Sequence, residues 1–131
     1  MADNTYPADL LYHREHDWAR IDGDLATFGI TWFAQDALGE IVFFEPPTVG
    51  ATVTQGSPYT EVESVKAVSD VIAPLSGEIV EVNTQLADTP EVINDDPHGA
   101  GWMVRVKLSD AAELEVLIDA AAYSAHVEGG P

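Results

Sequence analysis

At 131 residues and 46% hydrophobic content the chain is long enough for one folded domain with a real core. No apolar run approaches the roughly 18 residues of a membrane-spanning helix, and the opening MADNTYPADL has neither the basic and apolar regions of a secretory leader nor the arginines of a transit peptide, so a cytoplasmic protein is expected. A formal charge of −18, from 23 acids against five lysines and arginines, disfavours nucleic acid and suits basic partners or plain solubility, while the lack of cysteine excludes disulfides, thiolate metal sites and a cysteine nucleophile.

Residues 1–9 are polar and are expected to form a flexible N-terminus. Residues 18–21 and 25–28 alternate on either side of Asp22-Gly23-Asp24, a strong hairpin turn signal. Thr31 is placed to cap a short helix through Ala34, Gln35, Ala37 and Leu38, which Gly39 ends. A strand over 40–44 is broken by Pro46-Pro47, and residues 51–54 lead through Gly56-Ser57-Pro58 into a valine-rich stretch. Beyond it come Val71-Ile72-Ala73, a Pro74 break, a turn at Ser76-Gly77 and an alternating strand over 78–82. Residues 94–101 read as a loop and 102–106 as a strand. Asp110 and Glu113 resemble a capping pair ahead of a helical tail carrying Leu114, Leu117 and Ile118, and Asp119 can restart a turn through Tyr123. The sum is a mainly β protein with a single domain over 10–128 and a tail at 129–131.

The valine-rich stretch, EVESVKAVSD at 61–70, sets a lysine between two strand-like segments. Ser64-Val65-Lys66-Ala67 contains no Gly, Asn, Asp or Pro, so a reversal there must be held by something other than the commonest turn residues. Glu61, Glu63 and Asp70 favour a charged ammonium, whereas a nucleophilic or basic lysine needs the neutral amine. Lys66 is therefore either an ordinary exposed lysine or an acceptor to which another enzyme attaches a group. His13 and His16 invite a metal reading, but on a strand their side chains point to opposite faces with Arg14 between them, and no metal site is expected. Asp17 beside Trp18 sets a carboxylate near an apolar wall. No dinucleotide fingerprint, phosphate loop or serine nucleophile elbow is present.

Val62-Glu63-Ser64-Val65-Lys66-Ala67-Val68-Ser69-Asp70 resembles the lipoylation hairpin of the H protein of the glycine cleavage system. The likeness extends over about residues 11–128 through His16-Asp17-Trp18, Gly29-Ile30-Thr31, Ala34-Gln35, Leu38-Gly39, Ser76-Gly77-Glu78, Glu81-Val82-Asn83, Asn94-Asp95-Asp96-Pro97 and Gly101-Trp102. It implies a barrel-sandwich hybrid of two small antiparallel sheets with peripheral and C-terminal helices. It also implies a non-catalytic, monomeric carrier whose Lys66 holds lipoate in amide linkage, with Glu63, Ser64, Val65, Ala67 and Asp70 as the recognition frame for a lipoate-attaching enzyme. Such a carrier takes the aminomethyl group left after glycine decarboxylation from the pyridoxal-phosphate enzyme glycine decarboxylase and passes it to a tetrahydrofolate-dependent aminomethyltransferase. Dihydrolipoyl dehydrogenase then reoxidises it.

A cationic arm gains from a cleft in which carboxylates hold the charge and apolar walls exclude water. Asp17 and Asp70 are the expected carboxylates, Glu15 a third, and Trp18 a wall. The chain departs from the family's usual residues at Asp17, where Glu is commoner, at Trp32 (Asp), Pro46 (Leu) and His98 (Tyr). Competing readings are a relay protein that donates lipoate to other lipoyl-dependent complexes, a biotin carrier, and an acidic interaction domain without a cofactor. The biotin reading is disfavoured because Lys66 lies between Val65 and Ala67 rather than methionines.

Overall fold

The structure, a computed structural model, describes residues 6–129. Nine strands are ordered β1 (Leu11–His13), β2 (Asp17–Asp22), β3 (Leu25–Ile30), β4 (Ile41–Phe44), β5 (Thr52–Val53), β6 (Pro58–Ser64), β7 (Val68–Ile72), β8 (Gly77–Val82) and β9 (Val104–Leu108). Helices α1 (Trp32–Leu38), α2 (Gln85–Asp88), α3 (Val92–Asp95) and α4 (Ala120–Gly129) lie between and after them, with a 3-10 helix at Ala111–Val116. Six strands form one sheet in the order β1-β2-β3-β9-β8-β5 and three form a second, β4-β6-β7, with antiparallel pairing throughout. This is the two-sheet, mainly β architecture expected, without closure into a barrel.

Local chemistry explains most element boundaries. The β2–β3 hairpin turns at Asp22-Gly23-Asp24, where Gly23 adopts φ 66°. Thr31 accepts a hydrogen bond from the Ala34 amide at the start of α1, and Gly39 closes that helix with φ 85°. Asp110 caps the 3-10 helix through the Ala112 amide. Glu113 does not complete a capping box. Its carboxylate instead accepts from the Ser76 amide and hydroxyl, both at 2.7 Å, and ties the tail to the turn before β8. Asp119 accepts from the Ala122 amide and starts α4. Gly77 is required by space, because a Cβ there would collide with the Lys107 carbonyl across the β8–β9 pair.

Three apolar clusters hold the elements together. Phe28, Val53, Leu75, Ile79, Val104 and Val106 fill the first, on the larger sheet. Ile30, Ile41, Phe44, Val62, Val71, Leu86, Ile93 and Met103 fill the second, which joins the smaller sheet to α2 and α3. Tyr59 of β6 packs against both. Tyr6, Leu10, Tyr12, Trp18 and Tyr123 make the third, where α4 closes over β1 and β2.

The expectation of a flexible 1–9 segment is corrected over residues 6–9. Tyr6 is buried edge-on against Tyr12 and Tyr123, and the Tyr12 hydroxyl donates to the Pro7 carbonyl, so aromatic burial anchors the entry to β1. Residues 1–5 of that segment lie outside the described residues, as do 130 and 131 of the expected tail, while α4 runs on to Gly129. The last strand begins at Val104 rather than at residue 102, helix α3 takes up the first two residues of the stretch that reads as a loop (94–101), and α2 forms where no element is expected.

Candidate functional site

Lys66 is exposed at the turn between β6 and β7. The missing turn chemistry is supplied by Ser64. Its buried hydroxyl accepts from the Lys66 amide at 3.2 Å and from the Ala67 amide at 3.1 Å, while the Ser64 amide donates to the Ala67 carbonyl at 2.7 Å. From outside the hairpin, the Val65 amide donates to the Glu40 carbonyl at 3.0 Å. The tip therefore leans on the junction between α1 and β4. Asn94 fixes that junction, accepting from the Ile41 amide and donating to the Gly39 carbonyl and to Gln35 Oε1.

The lysine stem lies along the same junction, since a Cβ on Gly39 would sit 3.5 Å from Lys66 Cε. A cleft of about 190 Å³ opens between α1, the β1–β2 turn and the smaller sheet. Phe33, Ala34, Ala37 and Leu38 line it from α1, Ile30, Val62 and Val71 from the strands, and Glu15, His16, Asp17 and Asp70 give it polar groups. The structure thus brings together all three carboxylates named from the sequence.

Their settings differ. Glu15 and Asp70 are exposed at the cleft rim. Asp17 is only 2% exposed, and its Oδ2 has no hydrogen-bond partner. Burial raises its carboxyl well above the ordinary range, the nearby Glu15 charge pushes the same way, and the Ile72 amide partly offsets them. A carboxylate so placed is short of a donor, which a cation in the cleft would supply.

Trp18 is corrected. It is fully buried in the aromatic cluster under α4, lies against Gly29, and donates its indole N–H to the Pro97 carbonyl at 2.8 Å, so it does not line the cleft. The walls come instead from α1 and the strands, with Phe33 the largest ring. His13 and His16 engage different partners. His13 Nδ1 accepts from the Glu15 amide, and His16 Nδ1 bonds to the Tyr123 hydroxyl.

Two of the unusual residues touch each other, for the Trp32 amide donates to His98 Nε2 at 3.2 Å. Burial brings His98 down to about 4, against an upward pull from Asp96, with Arg20 pushing further down. The unfolded chain takes up this proton near pH 6.5 and the folded chain only near 4, so stability falls as pH drops through that interval. Replacing His98 by Phe is expected to remove about 2 kcal/mol of the loss between pH 7 and pH 4.5, read by urea unfolding at the two pH values.

A family model described as Glycine cleavage H-protein matches residues 10–129. A Glycine cleavage system H protein of Symbiobacterium thermophilum is 53% identical over 124 residues, covering 95% of this chain and 97% of the relative. One from Rubrobacter xylanophilus is 56% identical over 108 residues, covering 82% and 86%. Among solved structures, a glycine cleavage system H protein from Mycobacterium marinum superposes with a TM-score of 0.81 at 43% identity, covering 94% of this chain and 98% of that one.

Proposed function

Because the chain belongs to the glycine cleavage H-protein family, the lipoyl-carrier component of that system and not an enzyme in itself, we propose that it carries lipoate on Lys66 and guards the loaded arm in the cleft beside α1. The observation that carries this reading is a pairing. An exposed lysine stands on a tip braced by Ser64 and Glu40, and the helix it leans on lines a cleft containing a buried carboxylate oxygen with no partner.

The bound lipoyl group would supply a dithiolane that accepts the aminomethyl group from glycine decarboxylase, yields it to aminomethyltransferase, and is reoxidised by dihydrolipoyl dehydrogenase. The protein's part is presentation and protection. Ser64 and the Glu40 carbonyl hold the backbone at Lys66 so that a lipoate-attaching enzyme meets one geometry, at little entropic cost. Asp17 and Asp70 would accept from a cationic cargo, and Phe33, Ala34 and Leu38 would keep water from it. Among the described residues no helix is long and apolar enough to cross a membrane, and a cytoplasmic site of action fits this role.

The test is reconstitution. The chain treated with lipoate and a lipoate ligase should gain one lipoyl group by intact mass. Catalytic amounts should then support glycine-dependent carbon dioxide release with glycine decarboxylase, and methylene-tetrahydrofolate formation with aminomethyltransferase. Lipoate passed on to acyltransferase domains with neither half-reaction supported would establish the relay instead. No gain of mass would overturn the carrier reading.

A further inference from the structure

Besides the backbone bond from the Thr31 amide to the His16 carbonyl, one hydroxyl that does not line the cleft joins its two walls. Tyr123, on α4, is fully buried and stacks on Tyr12 with ring centroids 4.9 Å apart. Its oxygen lies 2.7 Å from His16 Nδ1 and 2.8 Å from Thr31 Oγ1. His16 belongs to the β1–β2 turn that carries Glu15 and leads into Asp17 at the start of β2, whereas Thr31 starts the helix carrying Phe33, Ala34 and Leu38. A second α4 side chain grips the same turn, as His126 Nε2 donates to the Arg14 carbonyl at 3.2 Å.

The turn needs such a hold. His16 has φ 78°, the one positive value for a non-glycine residue among the described residues, a left-handed conformation that is unfavourable for a residue with a Cβ. Backbone bonds brace it, the His16 amide donating to the His13 carbonyl and the His16 carbonyl accepting from the Thr31 amide. Between Tyr123 and Thr31 either oxygen can donate. The order Thr31 to Tyr123 to His16 Nδ1 uses the hydroxyl proton that Thr31 keeps while its Oγ1 accepts from the Ala34 amide, and it corresponds to a neutral His16 protonated on Nε2.

We propose that Tyr123 is a positioning residue for the arm cleft: its hydroxyl ties the turn that carries Glu15 and leads into Asp17 to the N-terminus of α1 and so, with the Thr31–His16 backbone bond, holds the separation of the two walls. The proposal rests on the arm-cleft reading above. It makes α4 a clamp on the site, and it carries a pH signature. A proton on His16 Nδ1 removes the acceptor that ends the chain, leaving the phenol proton without its partner.

The groups facing His16 are His126 and Tyr123 from α4, His13 from β1, Glu15 in its own turn and Asp17 on β2. Burial lowers the His16 pKa, with His126 and His13 pushing down and Glu15 up, so the chain is intact at neutral pH and opens on the acid side.

Tyr123→Phe keeps the stacked ring and removes only the link. In lipoylated chain loaded by glycine decarboxylase and freed of it, the loss of cargo to water should be about five-fold faster than in the parent at pH 7.5, the ratio for one hydrogen bond of about 1 kcal/mol. Histidine imidazole NMR on the unloaded chain gives a readout that packing alone would not move. The parent should show His16 as the Nε2–H tautomer titrating below the ordinary value, and the variant should titrate closer to it. Parent retention should also fall as His16 protonates, and the variant should lack that inflection. Thr31→Ser, which keeps both bonds, should behave as the parent. An Nδ1–H tautomer in the parent overturns the direction of the chain and its pH signature even if Tyr123→Phe fails to fold. Parent-like retention in Tyr123→Phe, alongside faster loss in Asp17→Asn, overturns it while leaving the cleft reading intact. Parent-like retention in both variants overturns the cleft reading itself, and the positioning role with it.

Discussion

Lys66→Arg is expected to stay folded and to gain no lipoyl group under conditions in which the parent gains one, with glycine-dependent turnover falling to background. Arginine keeps the charge and a comparable stem, but its guanidinium does not lose a proton in proteins and so cannot form the amide. The fold should not notice, because the tip is held by the Ser64 hydroxyl and the Glu40 carbonyl and not by the lysine side chain. A change at such an exposed position costs within about 0.5 kcal/mol. Lys107 cannot substitute. It lies inside β9, paired to Leu25 on one side and Glu78 on the other, so its backbone is locked in the larger sheet rather than presented at a tip. Peptide mapping separates the two lysines, and lipoate found on the Lys66→Arg chain would sink the assignment.

The strands flanking Lys66 were legible because β-branched residues recur through both, and α1 was legible at each end because Thr31 and Gly39 cap it by local chemistry. The turn itself was not. Its bonds come from a serine hydroxyl that sequence patterns rank below glycine or asparagine, and from the carbonyl of a residue 25 positions away in the chain. Asp17 and Asp70 could be named from the sequence because the family resemblance implies a cationic cargo and both match the family's pattern by position, with Glu15 as a third acid near Asp17. The apolar walls could not, since Phe33, Val62 and Val71 meet only after three segments fold together. Trp18 was misread because its neighbour Asp17 faces the cleft. On β2 the next residue points the other way, where Gly29 leaves room for the indole. Tyr123 carried no signal at all, as one aromatic in an alanine-rich helix reads as ordinary packing.

Asp17→Asn should make the chain more stable and the carrier worse. In the parent a nearly fully buried carboxyl must ionise, near Glu15 and with one oxygen unpartnered, for the cleft to offer a negative charge. Its pKa is raised on folding, so stability from this group is fully present in acid, below its unfolded pKa, and is lost as pH rises through the folded value. Asparagine has no such proton to lose. The variant should therefore match the parent near pH 4 and exceed it at pH 8 by roughly 1–3 kcal/mol, the usual penalty of a buried group left without a partner. Urea unfolding of the unlipoylated chain at the two pH values measures this, and equal stability at both would mean that Asp17 is not desolvated. The same substitution removes the charge that would meet a cationic cargo. Loss of cargo to water, followed as formaldehyde and ammonia released without aminomethyltransferase, should rise roughly ten-fold, as for a charge-assisted hydrogen bond of about 1.5 kcal/mol. A more stable chain with unchanged retention would assign Asp17 to the fold alone. Gain and loss together would mean that the cleft holds an energetically costly carboxylate ready, so that the arriving cation supplies the missing partner and the unloaded carrier bears the strain.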